Sequence, residues 1–170
     1  MPKYFSHYDQ SFCYAAIGPV AFSSWRGLLT SEHIDLTETL WTQIAETHPE
    51  GFCVLTVVKP TAPAPAGAAR RRVEKIYTEY GDHLRAVATV IPGSGMRATT
   101  GRLLMGTLSV LLKPTYPTRI TSNVADAARW LDEKLPLEVA PLIERVRRIH
   151  SEYADIIDPN GSSAGEGEAA

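Results

Sequence analysis

The pattern in this chain that comes closest to a binding motif is a glycine-rich turn at residues 93–98. It reads G-x-G-x-x-A and stands between an apolar run and a segment that opens with Arg97. Such a turn lets a backbone approach a phosphate, and the first amides of a following helix donate to it. One interpretation is a turn that only reverses the chain. The other is a site for a nucleotide, phosphate or lipid, formed by Gly93, Ser94, Gly95, Arg97 and Arg102.

Nucleophiles, bases and metal ligands do not group along the chain. Cys13 and Cys53 fall in apolar stretches, where thiols are usually unreactive, and Ser94 does not stand in the G-x-S-x-G pattern of a nucleophile elbow. The five histidines, at positions 7, 33, 48, 83 and 150, lack the spacing of a zinc motif. We therefore predict no catalytic residue, no metal and no cofactor.

The densest run of charge is the triplet Arg70, Arg71 and Arg72. Nucleic-acid binding needs a larger basic surface with an element that reads the bases, and none of the usual motifs is present. We predict no nucleic-acid partner. The triplet is either the solvated face of a helix or a contact surface for another protein.

A second candidate interface lies in the C-terminal part of the chain. Apolar residues there are spaced 4, 3, 4 and 3 apart, which is the a/d seam of a helix over about two heptads. This helix either docks on its own domain, or pairs with a copy of itself or with another protein. The residues of the seam are Leu142, Val146, Ile149, Tyr153 and Ile156.

Periodicity predicts the elements that position these residues. Alternating, aromatic-rich segments predict two or three antiparallel strands within residues 4–27, and Thr30 or Ser31 can cap the helix that follows. The continuous apolar run 51–58 predicts a central strand buried on both faces. Later strands at 85–91 and 119–121 alternate with helices at about 68–80, 97–113 and 124–135. The predicted order is ββ(β)αβαβαβα, with the later strands parallel.

The segment WRGLLTSEHIDL at Trp25–Leu36 and the strand and helix at Arg119–Leu135 stand within this order. Together they resemble the STAS domains of anti-sigma-factor antagonists, the SpoIIAA-like group, over residues 4–135. The resemblance implies an α/β domain with a STAS-like mixed sheet, to which residues 136–157 add a C-terminal helix. It also implies a regulatory protein-binding module. Members that act as switches are phosphorylated in the loop before the second helix, where Lys59–Gly67 offers only Thr61.

Composition limits the class of protein. The chain has 170 residues, 44% of them hydrophobic, and a formal net charge of -2, which fits one globular domain. The first residues do not read as a secretory signal, no apolar run is long enough for a membrane helix, and the two cysteines form no framework. We predict a cytoplasmic protein without a transmembrane segment, in a reducing compartment. Residues 158–170 predict a disordered acidic tail.

The small net charge hides a strong segregation. Residues 1–58 carry 2 basic and 6 acidic side chains, residues 59–119 carry 10 and 3, and residues 120–170 carry 5 and 10. The opposite charges meet either within one chain or between two. The function that we predict is a regulatory or scaffolding protein–protein interaction module in signal transduction, able to form oligomers. The alternative is a protein that binds a small ligand at the glycine-rich turn.

Overall fold

The chain folds into a mixed β-sheet covered by helices. The computed structural model describes residues 6–93, 95 and 114–158. Within these ranges, six strands form one mixed sheet and four helices cover it. The strands are β1 (His7–Tyr8), β2 (Phe12–Ile17), β3 (Val20–Trp25), β4 (Phe52–Val58), β5 (Leu84–Val90) and β6 (Thr118–Thr121). The helices are α1 (Ser31–Thr47), α2 (Gly67–Glu79), α3 (Val124–Asp132) and α4 (Val139–Ile157).

The strands lie in the sheet in the same order as in the chain. β1, β2 and β3 pair antiparallel, whereas β3, β4, β5 and β6 pair parallel. The predicted α/β class, with antiparallel N-terminal strands before parallel ones, is therefore confirmed. Parallel neighbours need long connections, which α1 and α2 provide between β3, β4 and β5. The helix predicted at 97–113 and residues 159–170 of the predicted tail lie outside the described residues.

Thr30 determines where α1 begins. Its side-chain oxygen accepts a hydrogen bond from the backbone N–H of His33 at 3.3 Å, which satisfies a free amide of the first turn. The start predicted at Thr30 or Ser31 is confirmed. The buried face of α1 holds His33 and four apolar residues, which are Ile34, Leu40, Trp41 and Ile44.

The sheet buries apolar side chains on both of its faces. One face packs against α1 and α2, and the other packs against α3 and α4. β4 lies between β3 and β5, and six of its seven residues are buried. The apolar run at 51–58 therefore forms the inner strand that it predicts, because each face of that strand meets a layer of helices.

The C-terminal helix α4 packs on its own sheet. Four residues of the predicted seam are 0–5% exposed in the core beneath it, whereas Ile156 is 40% exposed. These four side chains therefore pack on their own domain, which is the first of the two alternatives. Self-association or partner binding through this helix stays a prediction. Neither α4 nor any other described helix is both long and apolar enough to cross a membrane.

Two arginines of the triplet on α2 pair with acidic residues of the same chain. Arg72 forms ion pairs with Asp35 and, at 3.5 Å, with Glu38, both on α1. Arg70 pairs with Glu74 one turn along α2 at 2.7 Å. At this contact the basic middle of the chain and its acidic first third therefore meet within one molecule.

Candidate functional site

A cavity that can hold a ligand lies between the sheet and the helices α1 and α2. Its volume is about 490 Å³, and most of its lining is apolar. Aromatic side chains form much of its wall, and β3, β4 and β5 form its floor. The aromatic residues that line it include Trp25, Trp41, Tyr77 and Tyr116.

Trp41 of α1 holds the aromatic wall together. Its ring meets Tyr77 of α2 edge-on at a centroid distance of 4.9 Å, and it meets Phe52 and Tyr80 in the same manner at 5.6 and 5.7 Å. Edge-to-face pairs at such distances are favourable because the positive edge of one ring faces the negative face of another. The wall is therefore fixed in place before any ligand arrives.

Three hydroxyl side chains form a row across the floor of the cavity. Ser23 on β3 is in register with Thr56 on β4, and Thr56 is in register with Thr89 on β5. The Ser23 and Thr56 hydroxyl oxygens are 3.0 Å apart and hydrogen-bonded. All three residues line the cavity and are partly exposed, although their neighbours before and after in each strand are buried.

The charges at the cavity largely compensate one another. Among the described lining residues, only Arg70, Glu74 and Arg119 carry a formal charge. Arg70 and Glu74 pair with each other. The guanidinium of Arg119 lies 5.9 Å from the ring centre of Trp130, which belongs to the core on the opposite face of the sheet. Arg119 keeps its positive charge, but its guanidinium lies against the opposite core, so no described side chain presents an uncompensated charge toward the middle of the cavity.

Burial raises the pKa of two phenols at the cavity and of both cysteine thiols. It raises the pKa of Tyr116 to about 12 and raises the pKa of Tyr77 well above its ordinary value. It also raises the pKa of Cys13 and of Cys53 to about 12, so both are neutral thiols at physiological pH, as expected for buried cysteines.

Two residues of the predicted glycine-rich turn are described, Gly93 and Gly95, and neither is among the described lining residues of the cavity. Gly93 is exposed and has a φ of 99°, a left-handed conformation that glycine adopts without strain. Gly95 is exposed as well. Ser94, Arg97 and Arg102 lie outside the described residues, so a ligand site at this turn stays a prediction.

The other predicted contact residues lie on the surface near the mouth of the cavity. Thr61 is exposed in the loop that follows β4, and Ala64 and Pro65 of the same loop line the cavity. Arg71 is exposed on α2. Phosphorylation of Thr61 and binding of a partner to the arginine triplet stay predictions.

The fold brings together three side chains of the types that ligate metals, His7, Asp9 and His33, although their spacing in the sequence does not match a metal-binding motif. His33 Nε2 lies 2.5 Å from Asp9 Oδ2, and His7 Nε2 lies 3.6 Å from the same oxygen. The backbone N–H of Thr30 donates to His33 Nδ1 at 3.2 Å, so the proton of the neutral ring is on Nε2 and is donated to Asp9. A protonated nitrogen cannot ligate a metal. In this arrangement the cluster ties the β1–β2 turn to α1, and the expected lack of a metal stays a prediction.

Asp9 gives this cluster a dependence on pH. Burial raises the pKa of its carboxyl, but hydrogen bonds from His33 and from the backbone amides of Ser11 and Phe12 outweigh burial and leave the pKa below its ordinary value. A lowered pKa means that the folded state favours the carboxylate. The resulting stabilisation is complete above the pKa of the unfolded chain and is lost as the pH falls through that of the folded one.

We expect Asp9→Ala to lower the free energy of unfolding by about 1 kcal/mol at neutral pH, because a partly exposed carboxylate with several hydrogen bonds is removed. The difference should shrink as the pH falls below the ordinary pKa of the carboxyl and through its lowered pKa in the folded protein, because the wild-type carboxyl then takes up a proton. Urea unfolding at neutral pH and along this acid range measures it. Asp155→Ala, on the exposed side of α4, is the control and should change little at any of these pH values. A constant difference across this range would assign Asp9 a role that does not depend on its charge.

Comparison of the chain with protein-family profiles, with curated proteins and with solved structures found no match. The mixed six-strand sheet establishes an α/β fold. Membership of the STAS group stays a prediction that rests on the order of elements and on the segments quoted above.

Proposed function

We propose that this chain binds a small, mostly apolar molecule and that the cavity between the sheet, α1 and α2 is its binding site. The observation that carries this proposal is the cavity itself. Its volume of about 490 Å³ falls in the range of natural ligand pockets, and its lining has their usual composition of apolar and aromatic side chains with a few polar groups.

No described side chain fills the cavity, and its size favours an occupant. Protein interiors are packed nearly as densely as organic crystals, and voids larger than a water molecule are few. Side chains around an empty space lose the dispersion contacts that a neighbour would supply. A ligand in the cavity would restore those contacts, so its binding would stabilise the fold.

The proposal keeps the small-ligand alternative but places it at a different site. The glycine-rich turn is exposed where it is described, whereas the cavity offers a partly open, mostly apolar space. The regulatory or scaffolding role stays a prediction, for which the exposed Thr61 and Arg71 are the residues to test.

The neutral fluorophore N-phenyl-1-naphthylamine tests this proposal. We expect a saturable rise in its emission with one equivalent bound, together with quenching of the nearby tryptophans Trp25 and Trp41. Val73→Trp, which fills the cavity from α2, should weaken binding about tenfold or more because the indole occupies the space of the ligand. A fluorescence titration of each protein measures this change.

Val124→Trp is the matched control. Val124 is also partly buried, but it packs on the opposite face of the sheet. Circular dichroism establishes that both variants fold, and Thr37→Phe, which fills the cavity from α1, replaces Val73→Trp if that variant does not. Equal weakening by the variants on both faces, or no saturable binding to the wild type, would refute the proposal. In the second case the chain itself fills the space.

A further inference from the structure

We infer that the molecule bound in the cavity is an uncharged ring compound that carries a hydrogen-bonding group. This inference rests on the proposed function and specifies the class of ligand. It excludes a plain hydrocarbon and an ionised fatty acid as the preferred occupant. Three features of the cavity carry it: the hydroxyl row, the compensation of charge and the aromatic wall.

The hydroxyl row supplies the polar contact. An inner strand of a parallel sheet is usually apolar throughout, yet Ser23, Thr56 and Thr89 stand in register on three neighbouring strands and face the cavity. The bond between Ser23 and Thr56 uses only one of their two O–H donors. The other donor and several lone pairs remain to be satisfied.

These groups discriminate between ligands of equal shape. A hydrocarbon laid on the row would displace water from the hydroxyls and return no hydrogen bond, which is costly. A ligand with a hydroxyl, a ring nitrogen or a carbonyl would replace the hydrogen bonds of the displaced water. The floor therefore selects for a polar group on one edge of the ligand.

Charge and shape restrict the ligand further. Because Arg70 is paired with Glu74 and Arg119 lies against Trp130, an ionised ligand would enter an apolar space without a compensating partner. The wall that contains Trp41 and Tyr77 presents ring edges and faces at fixed positions. Such a wall packs best against a planar ring, since offset and edge-on contacts are available at once.

Three compounds of nearly the same shape test the inference by displacing bound N-phenyl-1-naphthylamine at neutral pH. We expect 2-naphthol to bind about tenfold more tightly than naphthalene, because only the naphthol can bond to the hydroxyl row. We expect 2-naphthoate, which is ionised at this pH, to bind most weakly of the three.

Variants assign the discrimination to the row. The double variant Ser23→Ala with Thr56→Val should remove most of the preference for naphthol while leaving naphthalene binding intact. Thr89→Val tests the third hydroxyl, and Thr121→Val, a strand threonine outside the described lining, is the control. Because each variant is scored by a ratio of two affinities, a general loss of stability does not imitate the expected result.

The outcomes separate this inference from the proposed function. Equal displacement by naphthol and naphthalene would overturn the polar-edge inference while the proposed function stands. Tighter binding of naphthoate would overturn the inference that the ligand is uncharged. If none of the compounds displaces the fluorophore and the fluorophore itself does not bind, both the inference and the proposed function fail.

Discussion

Replacing Ile149 with aspartate is expected to remove most of the stability of this protein. Ile149 is 1% exposed in the core between α4 and the sheet, so the variant must bury an unpaired carboxylate or release the helix. Losing the packed side chain alone costs roughly 2–5 kcal/mol, and the buried charge adds to it. Since a domain has only about 5–15 kcal/mol of stability, we expect a chain that is largely unfolded at room temperature. Circular dichroism and urea unfolding measure this.

Ile156→Asp is the matched control on the same helix. Ile156 is 40% exposed, so the same replacement there should change the free energy of unfolding by no more than about 0.5 kcal/mol. Light scattering on both proteins distinguishes the two alternatives for the seam. A folded Ile149→Asp protein of lower mass than the wild type would show that the seam joins two chains, and it would contradict the packing described above.

The seam also shows what periodicity can and cannot predict. The spacing of Leu142, Val146, Ile149 and Tyr153 predicts correctly that one face of the helix is buried, because that spacing places all four on the same side. The spacing does not indicate which surface buries these residues. A sheet of the same chain and a helix of another chain impose the same pattern.

Local signals predict most of the fold. The cap predicted at Thr30 or Ser31 is confirmed at Thr30, where a short polar side chain precedes an apolar face. Asn123 caps α3 through the same kind of signal. The change from alternating to continuous apolar strands predicts correctly that antiparallel pairing precedes parallel pairing. These features could be predicted because each depends on neighbours within a few residues.

The cavity could not be predicted in this way. A cavity forms where side chains from distant parts of the chain do not fill the space between two layers. No local sequence pattern indicates their combined volume. A signal was nevertheless present, because Ser23, Thr56 and Thr89 are hydroxyl residues that each stand between buried neighbours in a strand. Only the register of the strands shows that the three residues form one row. His33 and Asp9 escaped for a similar reason, since the fold, and not their spacing, brings them together.

Trp41→Ala is the second change for which we expect a large effect. Trp41 is 3% exposed and makes three edge-on ring contacts, with Phe52, Tyr77 and Tyr80. We expect a loss of about 3–5 kcal/mol in the free energy of unfolding, because the deletion removes a large apolar surface and leaves a space that rigid neighbours cannot fill. Urea unfolding measures the loss. Trp41→Phe should recover a substantial part of it by keeping one ring in the wall.

Trp130→Ala separates the structural role of Trp41 from its contact with the ligand. Trp130 is also buried, at 8% exposed, but it belongs to the core on the opposite face of the sheet. Both alanine variants should lose stability, whereas only Trp41→Ala should weaken binding of N-phenyl-1-naphthylamine, because only Trp41 lines the cavity. If both variants weaken binding equally at a temperature where both are folded, binding depends on the general rigidity of the domain. The wall that contains Trp41 would then not be where the ligand lies.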